Sequence, residues 1–323
     1  MRLKLHLCSA GTACKRCGEE QYSLEELRDK CINKTEDFLQ WTDPVSIILS
    51  CLVVFAIIVT IGFAIIFIHY RTTPVVKAVG GYLCFLELLS LLCCFCLIFT
   101  FLGKPKKGTS CFGMPLFAIA FSLCISCILA NLFQILVGFK FDLRVDSWIK
   151  KLNKPVAVVI IVSGIQLALS VAWLIVKPPV IMKEPDTHIV LHQCQIGTES
   201  TETGFYVAMI TYNAFLGLIC FLFAYKSKKL PDLYKNAELI TVSMVLFLII
   251  WIVFLPLYFT LKGKYRPAIS SAAILISSFS ILGCHLAPKC YIMLFRKELN
   301  NDRAITEYIR KHYELKGISV VQS

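Results

Sequence analysis

Charged side chains are almost absent from the long apolar stretches of this sequence. The stretch from Cys111 to Phe139 contains none, and Glu87 is the only charge inside any of the other stretches. A helix that crosses a lipid bilayer needs roughly 20 consecutive apolar residues. With 57% hydrophobic residues and a mean hydropathy of +0.71, the chain is predicted to be a membrane protein.

Sequence signatures of catalysis are also missing. The chain contains no phosphate-binding P-loop, no His/Glu zinc signature and no Gly-x-Ser-x-Gly elbow around a nucleophilic serine. Cys14-x-x-Cys17 with Cys31 would supply three zinc ligands, but a fourth ligand at suitable spacing is absent, so disulfides are the favoured interpretation. We therefore predict no enzymatic activity, no cofactor and no metal site.

The distribution of basic residues argues against nucleic-acid binding. The formal net charge is +12, but the lysines and arginines stand in short runs between the apolar stretches, as in proteins that cross a membrane several times. The run that follows the third stretch includes Lys150 and Lys151. We interpret these runs as contacts to membrane lipids.

Seven apolar stretches are long enough to cross a bilayer as helices. They are Val45–Ile68, Ala78–Leu102, Cys111–Phe139, Pro155–Val176, Gly204–Tyr225, Leu239–Leu261 and Pro267–Pro288. Their length and lack of alternation exclude lipid-facing strands, so we predict an all-α membrane protein built as a seven-helix bundle. The third stretch is expected to be the central pillar, because its polar Asn131 and Gln134 should face other helices instead of lipid.

The polar segments indicate which side of the membrane each loop occupies. In a seven-span arrangement, the cysteines of residues 1–40, Cys111, Cys194 and the glycosylation sequence at Asn33 all fall on one side. Disulfides and glycans form on the luminal side of a secretory membrane. We therefore predict an outer amino terminus, a membrane domain over residues 41–298 and a cytoplasmic tail over residues 299–323.

A few side chains inside the bundle are candidates for ligand binding. Trp251, Phe254 and Tyr258 are spaced i, i+3 and i+7 and share one helix face, so they either pack in the core or line a pocket in it. Glu87 is costly in lipid and should face the bundle, as a ligand contact or in a hydrogen-bonded packing role. His285 is expected to be an interior histidine with satisfied hydrogen bonds.

Two further features concern local geometry. The run Ile189–Cys194 alternates between apolar and polar residues, which predicts a short strand over the outer mouth of the bundle. Pro256 lies inside the sixth stretch and is predicted to loosen that helix as a hinge.

Several motifs of the chain resemble class C G-protein-coupled receptors. The segment CKRCGEEQYSLEELRDKCINKTEDFLQWTDP is similar to the end of the cysteine-rich domain of this class, and TPVVKAVGGYLCFLELLSLL to its first inner loop and second span. LCISCIL, WIVFLP and PKCYIMLF match its third, sixth and seventh spans in order and spacing. Within the class, FQILVGFKF and the short tail look most like the type 1 taste receptors. GKYRPA, ILISS and GCHLAPKCY are also similar to calcium- and amino-acid-sensing members.

The resemblance implies a function and partners. A receptor of this class works as a homodimer or heterodimer in the plasma membrane and transmits a nutrient signal, such as an amino acid or a sugar, to a heterotrimeric G protein. In the class, the nutrient binds a bilobed Venus-flytrap domain, which these 323 residues do not include. Residues 1–40 are therefore interpreted as a remnant of the cysteine-rich domain. Basic inner-loop residues such as Lys150 and Lys151 are candidate contacts to the G protein.

The resemblance also implies particular site residues. A disulfide between Cys111 and Cys194 is expected to tie the third span to the loop after the fourth. A modulator pocket is expected inside the bundle, with the aromatic residues of the sixth span and Glu87 as candidate contacts.

One departure from the class concerns its resting state. The class usually carries a basic residue at the position of Asn131 and a glutamate at the position of Asn236, and these charges are thought to pair. Two neutral amides predict a weaker contact between spans 3 and 6 in the resting state, held by hydrogen bonds, unless Lys235 or Glu238 supplies a substitute charge. We call this contact the lock. Replacing both partners together avoids leaving one charge unpaired.

Alternative functions stay open on the sequence alone. The chain is either a signalling subunit or a non-signalling partner or truncated fragment that pairs with another subunit. An alternative from a different class is a seven-span transporter or channel. That alternative lacks the internal repeat and the charged pathway that transporters tend to show.

Overall fold

A computed structural model provides the structure of the chain. It describes residues 35–104, 112–139, 154–176, 200–228, 233–261 and 263–315, together with short strands at 6–7, 15–16, 21–23, 31–33, 181–185 and 189–194. Within these parts, seven helices are long and apolar enough to cross a membrane. The predicted seven-helix bundle is confirmed, and the chain is a multi-pass membrane protein.

We number the seven helices as spans 1 to 7. Their bounds are Pro44–His69, Tyr82–Phe101, Gly113–Leu136, Pro155–Val176, Gly204–Ser227, Asn236–Thr260 and Tyr265–Phe295. The helices of spans 3 and 5 extend beyond these bounds, over Gly113–Phe139 and Ser200–Ser227. We call the end of the bundle at which span 1 begins the outer end, and the opposite end the inner end.

Span 3 is the central pillar, as predicted. In its most apolar window 72% of the residues are buried, compared with 22% in spans 1 and 4. Span 3 packs against spans 2, 4 and 5, while span 7 packs against spans 1, 2 and 6. The exposed apolar side chains of spans 1 and 4, such as Ile58 and Ile160, cover faces that suit lipid contact.

Span 2 begins later than the sequence predicted. The chain forms a short helix at Pro74–Ala78 and then starts span 2 at Tyr82, not at Ala78. Gly80 has a φ of 99° and Gly81 a φ of 61°. Glycine adopts these positive angles without steric cost, so the pair turns the chain between the two helices.

Span 7 continues further than predicted, through Pro288 to Phe295. It consists of an α-helix over Tyr265–Ile281, a π-helical turn over Leu282–Leu286 and a second α-helix over Ala287–Phe295. Pro288 lies in the first turn of that second helix, where the missing N–H of proline is tolerated.

Short strands lie outside the bundle, so the all-α prediction holds for the membrane domain only. The predicted strand Ile189–Cys194 is confirmed and pairs antiparallel with Ile181–Pro185. It also pairs in parallel with Thr35–Asp37, which ties the loop after span 4 to the segment before span 1. Antiparallel pairs join His6–Leu7 with Lys15–Arg16 and Gln21–Ser23 with Cys31–Asn33.

The segment after span 7, for which the sequence analysis predicted only a tail, forms regular secondary structure. A 3-10 turn over Lys297–Leu299 leads into a helix over Asp302–Leu315. Asn301 caps this helix, because its Oδ1 accepts hydrogen bonds from the N–H groups of Arg303 at 2.6 Å and Ala304 at 3.4 Å.

Candidate functional site

Aromatic side chains of span 6 form a continuous row in the outer half of the bundle. Trp251, Phe254 and Tyr258 are buried. The ring centroids of Trp251 and Phe254 lie 4.9 Å apart and those of Phe254 and Tyr258 lie 5.4 Å apart. The sequence prediction that these residues share one inward face is therefore confirmed.

The row continues onto spans 3 and 5. Phe117 of span 3 stacks on Trp251 with a centroid distance of 5.7 Å. Phe121 stacks on Phe247 at 4.8 Å, and Tyr206 of span 5 stacks on Tyr258 at 5.1 Å. The sequence analysis missed these partners, although the i, i+4 spacing of Phe117 and Phe121 places both on one face of span 3.

A cavity opens beside this row between spans 3, 5 and 6. Its lining residues are Met114, Phe117, Ala118, Tyr206, Met209, Ile210, Asn213 and Trp251. Its volume is about 10 Å³, which is roughly the space that one water molecule needs. A larger ligand would require the lining side chains to move.

The cavity is lined mostly by apolar side chains, and Tyr206, Asn213 and Trp251 are the lining residues whose side chains carry polar groups. Asn213 donates its amide hydrogens to the carbonyls of Ala118 at 3.2 Å and Met209 at 3.4 Å. Its Oδ1, and the Nε1 of Trp251, are buried without a hydrogen-bond partner among the described residues. Buried polar atoms normally have partners, so Asn213 keeps one acceptor and Trp251 one donor for a further hydrogen bond.

An arginine closes the row at its outer end. The Nε of Arg266 donates to the carbonyls of Tyr258 and Leu261, both at 3.1 Å. Its guanidinium also lies 5.2 Å from the centre of the Tyr258 ring, within the range of a cation–π contact. Arg266 thus connects the start of span 7 to the end of span 6.

Glu87, the fourth predicted pocket residue, lies elsewhere in the bundle. Its Oε1 lies 2.9 Å from the Nδ1 of His285, and the two side chains are 2% and 0% exposed. Both residues face the interior, as predicted, but His285 Nε2 has no hydrogen-bond partner among the described residues, so the prediction of a fully satisfied histidine is wrong. The sequence analysis did not predict their contact, because the two residues are 198 positions apart.

Two asparagines meet at the inner end of the bundle. The Nδ2 of Asn131 on span 3 and the Nδ2 of Asn236 on span 6 both donate to the carbonyl of Ala78, each at 3.4 Å. A carbonyl oxygen has two lone pairs and can accept both bonds. The two amides are therefore joined through the first inner loop, and a direct bond between them is not seen among the described residues.

In the part of the chain that the structure describes, neither Lys235 nor Glu238 supplies a substitute charge at this joint. Lys235 and Glu238 are exposed, and neither has an ion pair within the described part of the chain. Nearby, the buried Lys289 of span 7 donates its Nζ to the carbonyl of Tyr234 at 3.4 Å, and the Tyr234 hydroxyl donates to the carbonyl of Leu299 at 3.0 Å. The inner ends of spans 6 and 7 are thus linked by hydrogen bonds.

Several predicted residues lie outside the described part of the chain. Cys111, Lys150 and Lys151 fall in segments that are not described, and for Asn33 and Cys194 only the backbone of their strands is described. The disulfide, the glycosylation site and the basic G-protein contacts therefore stay predictions.

Comparison with known proteins gives a family for the bundle. Residues 39–289 match the family described as "7 transmembrane sweet-taste receptor of 3 GCPR". The matched residues begin just before span 1 and end inside the last helix of span 7, so they include the aromatic row, the cavity and the inner joint.

Similar proteins align over most of the chain. The "G-protein coupled receptor family C group 6 member A" of Carassius auratus is 36% identical over 311 residues, which cover 95% of this chain and 35% of that relative. The human "Extracellular calcium-sensing receptor" is 38% identical over 84% of this chain and 25% of its own length. The "Taste receptor type 1 member 1" of Mus musculus is 32% identical over 94% of this chain and 38% of its own length.

The chain spans roughly a quarter to two fifths of the length of these curated relatives. Their identities to this chain lie close together, so the identities alone do not single out the taste branch. The match to the family description nevertheless covers well over half of the chain, and the relatives share the class. By its seven-transmembrane domain, this chain therefore belongs to the class C family of G-protein-coupled receptors.

Proposed function

We propose that this chain is the membrane-spanning part of a nutrient-sensing receptor subunit that passes an outer signal to a heterotrimeric G protein. The observation that carries the proposal is that spans 3 and 6 are joined twice. Phe117 and Trp251 stack in the outer half, and Asn131 and Asn236 share the Ala78 carbonyl at the inner end. A movement of span 6 against span 3 would reach both joints.

The inner joint supports a specific mechanism of signalling. Opening it would separate span 6 from span 3 and from the first inner loop, and would give a G protein access to the basic inner loops that contain Lys150 and Lys151. The two donor–acceptor distances of 3.4 Å are long for N–H···O bonds. Each such neutral bond contributes at most about 0.5–1.5 kcal/mol, so the resting state is held weakly.

The test strengthens the inner joint by introducing a charged pair. We expect Asn131→Lys combined with Asn236→Glu to lower basal G-protein activation, because a partly buried ion pair with hydrogen bonds holds more firmly than two shared amide bonds. The chain is expressed with and without a second class C subunit, and surface expression is matched. The single variants serve as controls, since each leaves one buried charge without its partner.

The same experiment separates the proposal from the alternative of a silent partner subunit. If the double variant leaves basal signalling unchanged in every combination, the signalling role is rejected and the second subunit carries the signal. The neutral amides at this joint favour that alternative specifically, because a subunit that never engages the G protein has no need of a charged lock.

The proposal also covers the orientation of the chain in the plasma membrane. The glycosylation sequence at Asn33 supports an outer amino terminus. We expect Asn33→Gln to remove a glycan, detected as a mobility shift on a gel that glycosidase treatment of the parent chain reproduces. A tag at Met1 that is inaccessible on intact cells while a tag at Ser323 is accessible would contradict this orientation.

A further inference from the structure

We infer that the helix over Asp302–Leu315, which we call the tail helix, lies on the membrane surface at the inner end of the bundle with one face in the lipid. We also infer that the turn before it fastens this helix to the loops of the inner joint. The two faces of the tail helix differ sharply in polarity, and it is too polar overall to be one of the described helices that could cross a membrane. Helices with these properties typically lie in the plane of a membrane surface. This contact is independent of the proposed signalling role.

The apolar face of the tail helix follows from the spacing of its side chains. Ile305, Tyr308 and Ile309 are three or four residues apart, or adjacent, which places them on one side of the helix. Ile305 packs against the bundle. Tyr308 is 38% exposed and Ile309 is only partly buried. The described part of the chain therefore leaves some of this face accessible, and lipid can cover it.

The opposite face of the tail helix is charged and exposed. Arg310 Nε lies 3.5 Å from Glu314 Oε1 in an i, i+4 ion pair, and Glu307 lies on the same side of the helix. The helix carries three acidic residues and three basic ones, which are Asp302, Glu307, Glu314, Arg303, Arg310 and Lys311. Because these charges balance, they attract neither a strongly charged protein nor an anionic headgroup. Burial of apolar area in lipid is then the main driving force of the contact.

The lipid-facing surface of span 7 leads directly to the tail helix. Tyr291, Leu294 and Phe295 are 53%, 41% and 71% exposed at the inner end of span 7, which suits contact with lipid. Arg296 and Lys297 follow and are also exposed, and basic side chains just beyond a span are typical of the membrane surface. The membrane boundary is therefore expected at these two residues, shortly before the tail helix begins.

The chain changes direction between span 7 and the tail helix. Arg296 has a φ of −124° and a ψ of 56°, and Asn300 has a φ of −94° and a ψ of 51°. Both pairs of angles lie outside the α-helical region and end the helical path. A straight continuation of span 7 would carry the tail away from the membrane. The two breaks allow the tail helix to turn aside, so that its apolar face can stay at the lipid surface.

A side chain of this turn holds the first inner loop. Asn300 Oδ1 accepts a hydrogen bond from the N–H of Val75 at 3.3 Å. Val75 lies in the first turn of the short helix Pro74–Ala78, where backbone N–H groups have no partner within the helix. The Ala78 carbonyl, at the other end of the same short helix, accepts both bonds of the inner joint. Asn300 thus fixes the start of the element whose end carries the joint.

The same turn also holds the segment before span 6. The Leu299 carbonyl accepts a hydrogen bond from the Tyr234 hydroxyl at 3.0 Å, and span 6 begins two residues after Tyr234, at Asn236. The turn is therefore bonded to both loops that meet at the inner joint. A tail helix held by lipid restrains these two loops together.

Fluorescence of the purified full chain in phosphatidylcholine nanodiscs tests the lipid contact. A small environment-sensitive fluorescent residue replaces Ile309 in one sample and Glu307, on the opposite face, in the matched control. We expect nitroxide-labelled lipids to quench the probe at position 309 and iodide in the water to quench the probe at position 307. Adding phosphatidylserine should change neither result, because the charges of the tail helix balance.

Three outcomes of this experiment would overturn the inference. Equal quenching of both probes by iodide would mean that the tail helix lies in water. A probe at position 309 that is shielded from iodide but unaffected by nitroxide-labelled lipids would mean that protein covers this face, either from this chain or from a second copy. Lipid quenching that requires phosphatidylserine would mean that charge, and not apolar area, drives the contact.

Hydrogen exchange of the chain in the same nanodiscs needs no probe. A helix of 14 residues is only marginally stable alone in water, so its amides are protected only while the helix is bound. We expect Ile309→Gln to raise the exchange rate of amides 302–315 by about tenfold, and Glu307→Gln to leave it unchanged. Unchanged exchange in Ile309→Gln would reject the lipid-bound face.

The fastening of the turn has its own variant. Asn300→Ala removes the acceptor for the Val75 N–H and should raise the exchange of the short helix Pro74–Ala78, while the tail helix stays protected by lipid. Asn301→Ala is the matched control, because Asn301 bonds only to N–H groups of the tail helix among the described residues. Equal exchange of residues 74–78 in the parent chain and in Asn300→Ala would reject the fastening.

Discussion

The outer half and the inner end of the bundle join the same two spans by different physical means. In the outer half, spans 3 and 6 meet through stacked rings such as Phe117 and Trp251. At the inner end they meet through Asn131 and Asn236, whose amides share one carbonyl. Close packing of large rings resists separation over many atoms at once, whereas the inner joint depends on two long hydrogen bonds.

From this difference we expect the inner end to open before the outer half does. Stacked rings hold the outer half together, and the cavity described between spans 3, 5 and 6 has room for about one water molecule. The inner end is held by weak, directional bonds to a loop. A receptor built this way would keep its outer half as a firm unit and open its inner end. Substitutions at both ends test that contrast, beginning with the largest expected effect.

Removing the central ring of the outer row should destabilise the fold most. We expect Trp251→Ala to lower the free energy of unfolding by about 3–5 kcal/mol. The lower end of that range is expected, because lipid solvates the rings of the separated helices better than water would. Thermal unfolding of the purified chain measures the effect. Trp41→Ala is the matched control, since Trp41 is 53% exposed and should lose less. Equal losses of unfolding free energy in the two variants would contradict the conclusion that the outer row is the firmer of the two joints.

The same substitution sharpens the prediction of a modulator pocket. Trp251 is the one member of the four predicted pocket residues that lines the described cavity. We expect Trp251→Ala to weaken the binding of a small apolar modulator more than Glu87→Gln does, because Glu87 lies with His285 instead. A displacement assay with such a modulator measures both. A larger loss of modulator affinity in Glu87→Gln would indicate that the pocket lies beside spans 2 and 7 instead.

The predicted disulfide would add a covalent tie at the outer end. Cys194 ends a strand that pairs with the segment before span 1, and Cys111 precedes span 3. We expect Cys111→Ser with Cys194→Ser to cost about 2–4 kcal/mol. Non-reducing peptide mapping should find the linked pair in the parent chain, and the recovery of both residues as free thiols would exclude it.

A glycine sets the geometry of the inner joint. Gly80 has a φ of 99°, and a Cβ there would lie 3.3 Å from Cγ of Asn131. We expect Gly80→Ala to cost about 1–3 kcal/mol through backbone strain and to displace the Asn131 amide. Gly62→Ala is the control, because Gly62 lies in span 1 with nothing within 4 Å of the added carbon. Thermal unfolding should separate the two variants.

The smallest effect is expected from the amides themselves. Asn131→Ala and Asn236→Ala should each cost no more than about 0.5–1.5 kcal/mol. After either single change the Ala78 carbonyl keeps one donor, so the double variant should lose more than the sum of the singles. Additive losses in a double-mutant cycle would mean that the two bonds do not share one acceptor.

Some parts of this fold followed from the sequence because they depend on local composition. The near absence of charge identified all seven spans, and the polar Asn131 and Gln134 indicated that span 3 is central. The boundaries of spans 2 and 7 were wrong where backbone geometry decided them. Gly80 and Gly81 turn the chain before Tyr82, and a π turn carries span 7 through Pro288.

The sequence by itself determined what each helix offers to its neighbours: the aromatic face of span 6, an acid in span 2, a histidine in span 7 and an amide on each of spans 3 and 6. Only the tertiary structure decided which of these groups meet. Glu87 contacts His285, and the two amides meet at the Ala78 carbonyl instead of each other. The reason is physical, since periodicity records the direction of a side chain around its own helix. The partner depends on the rotation, register and crossing of two helices whose contacting residues are far apart in the chain.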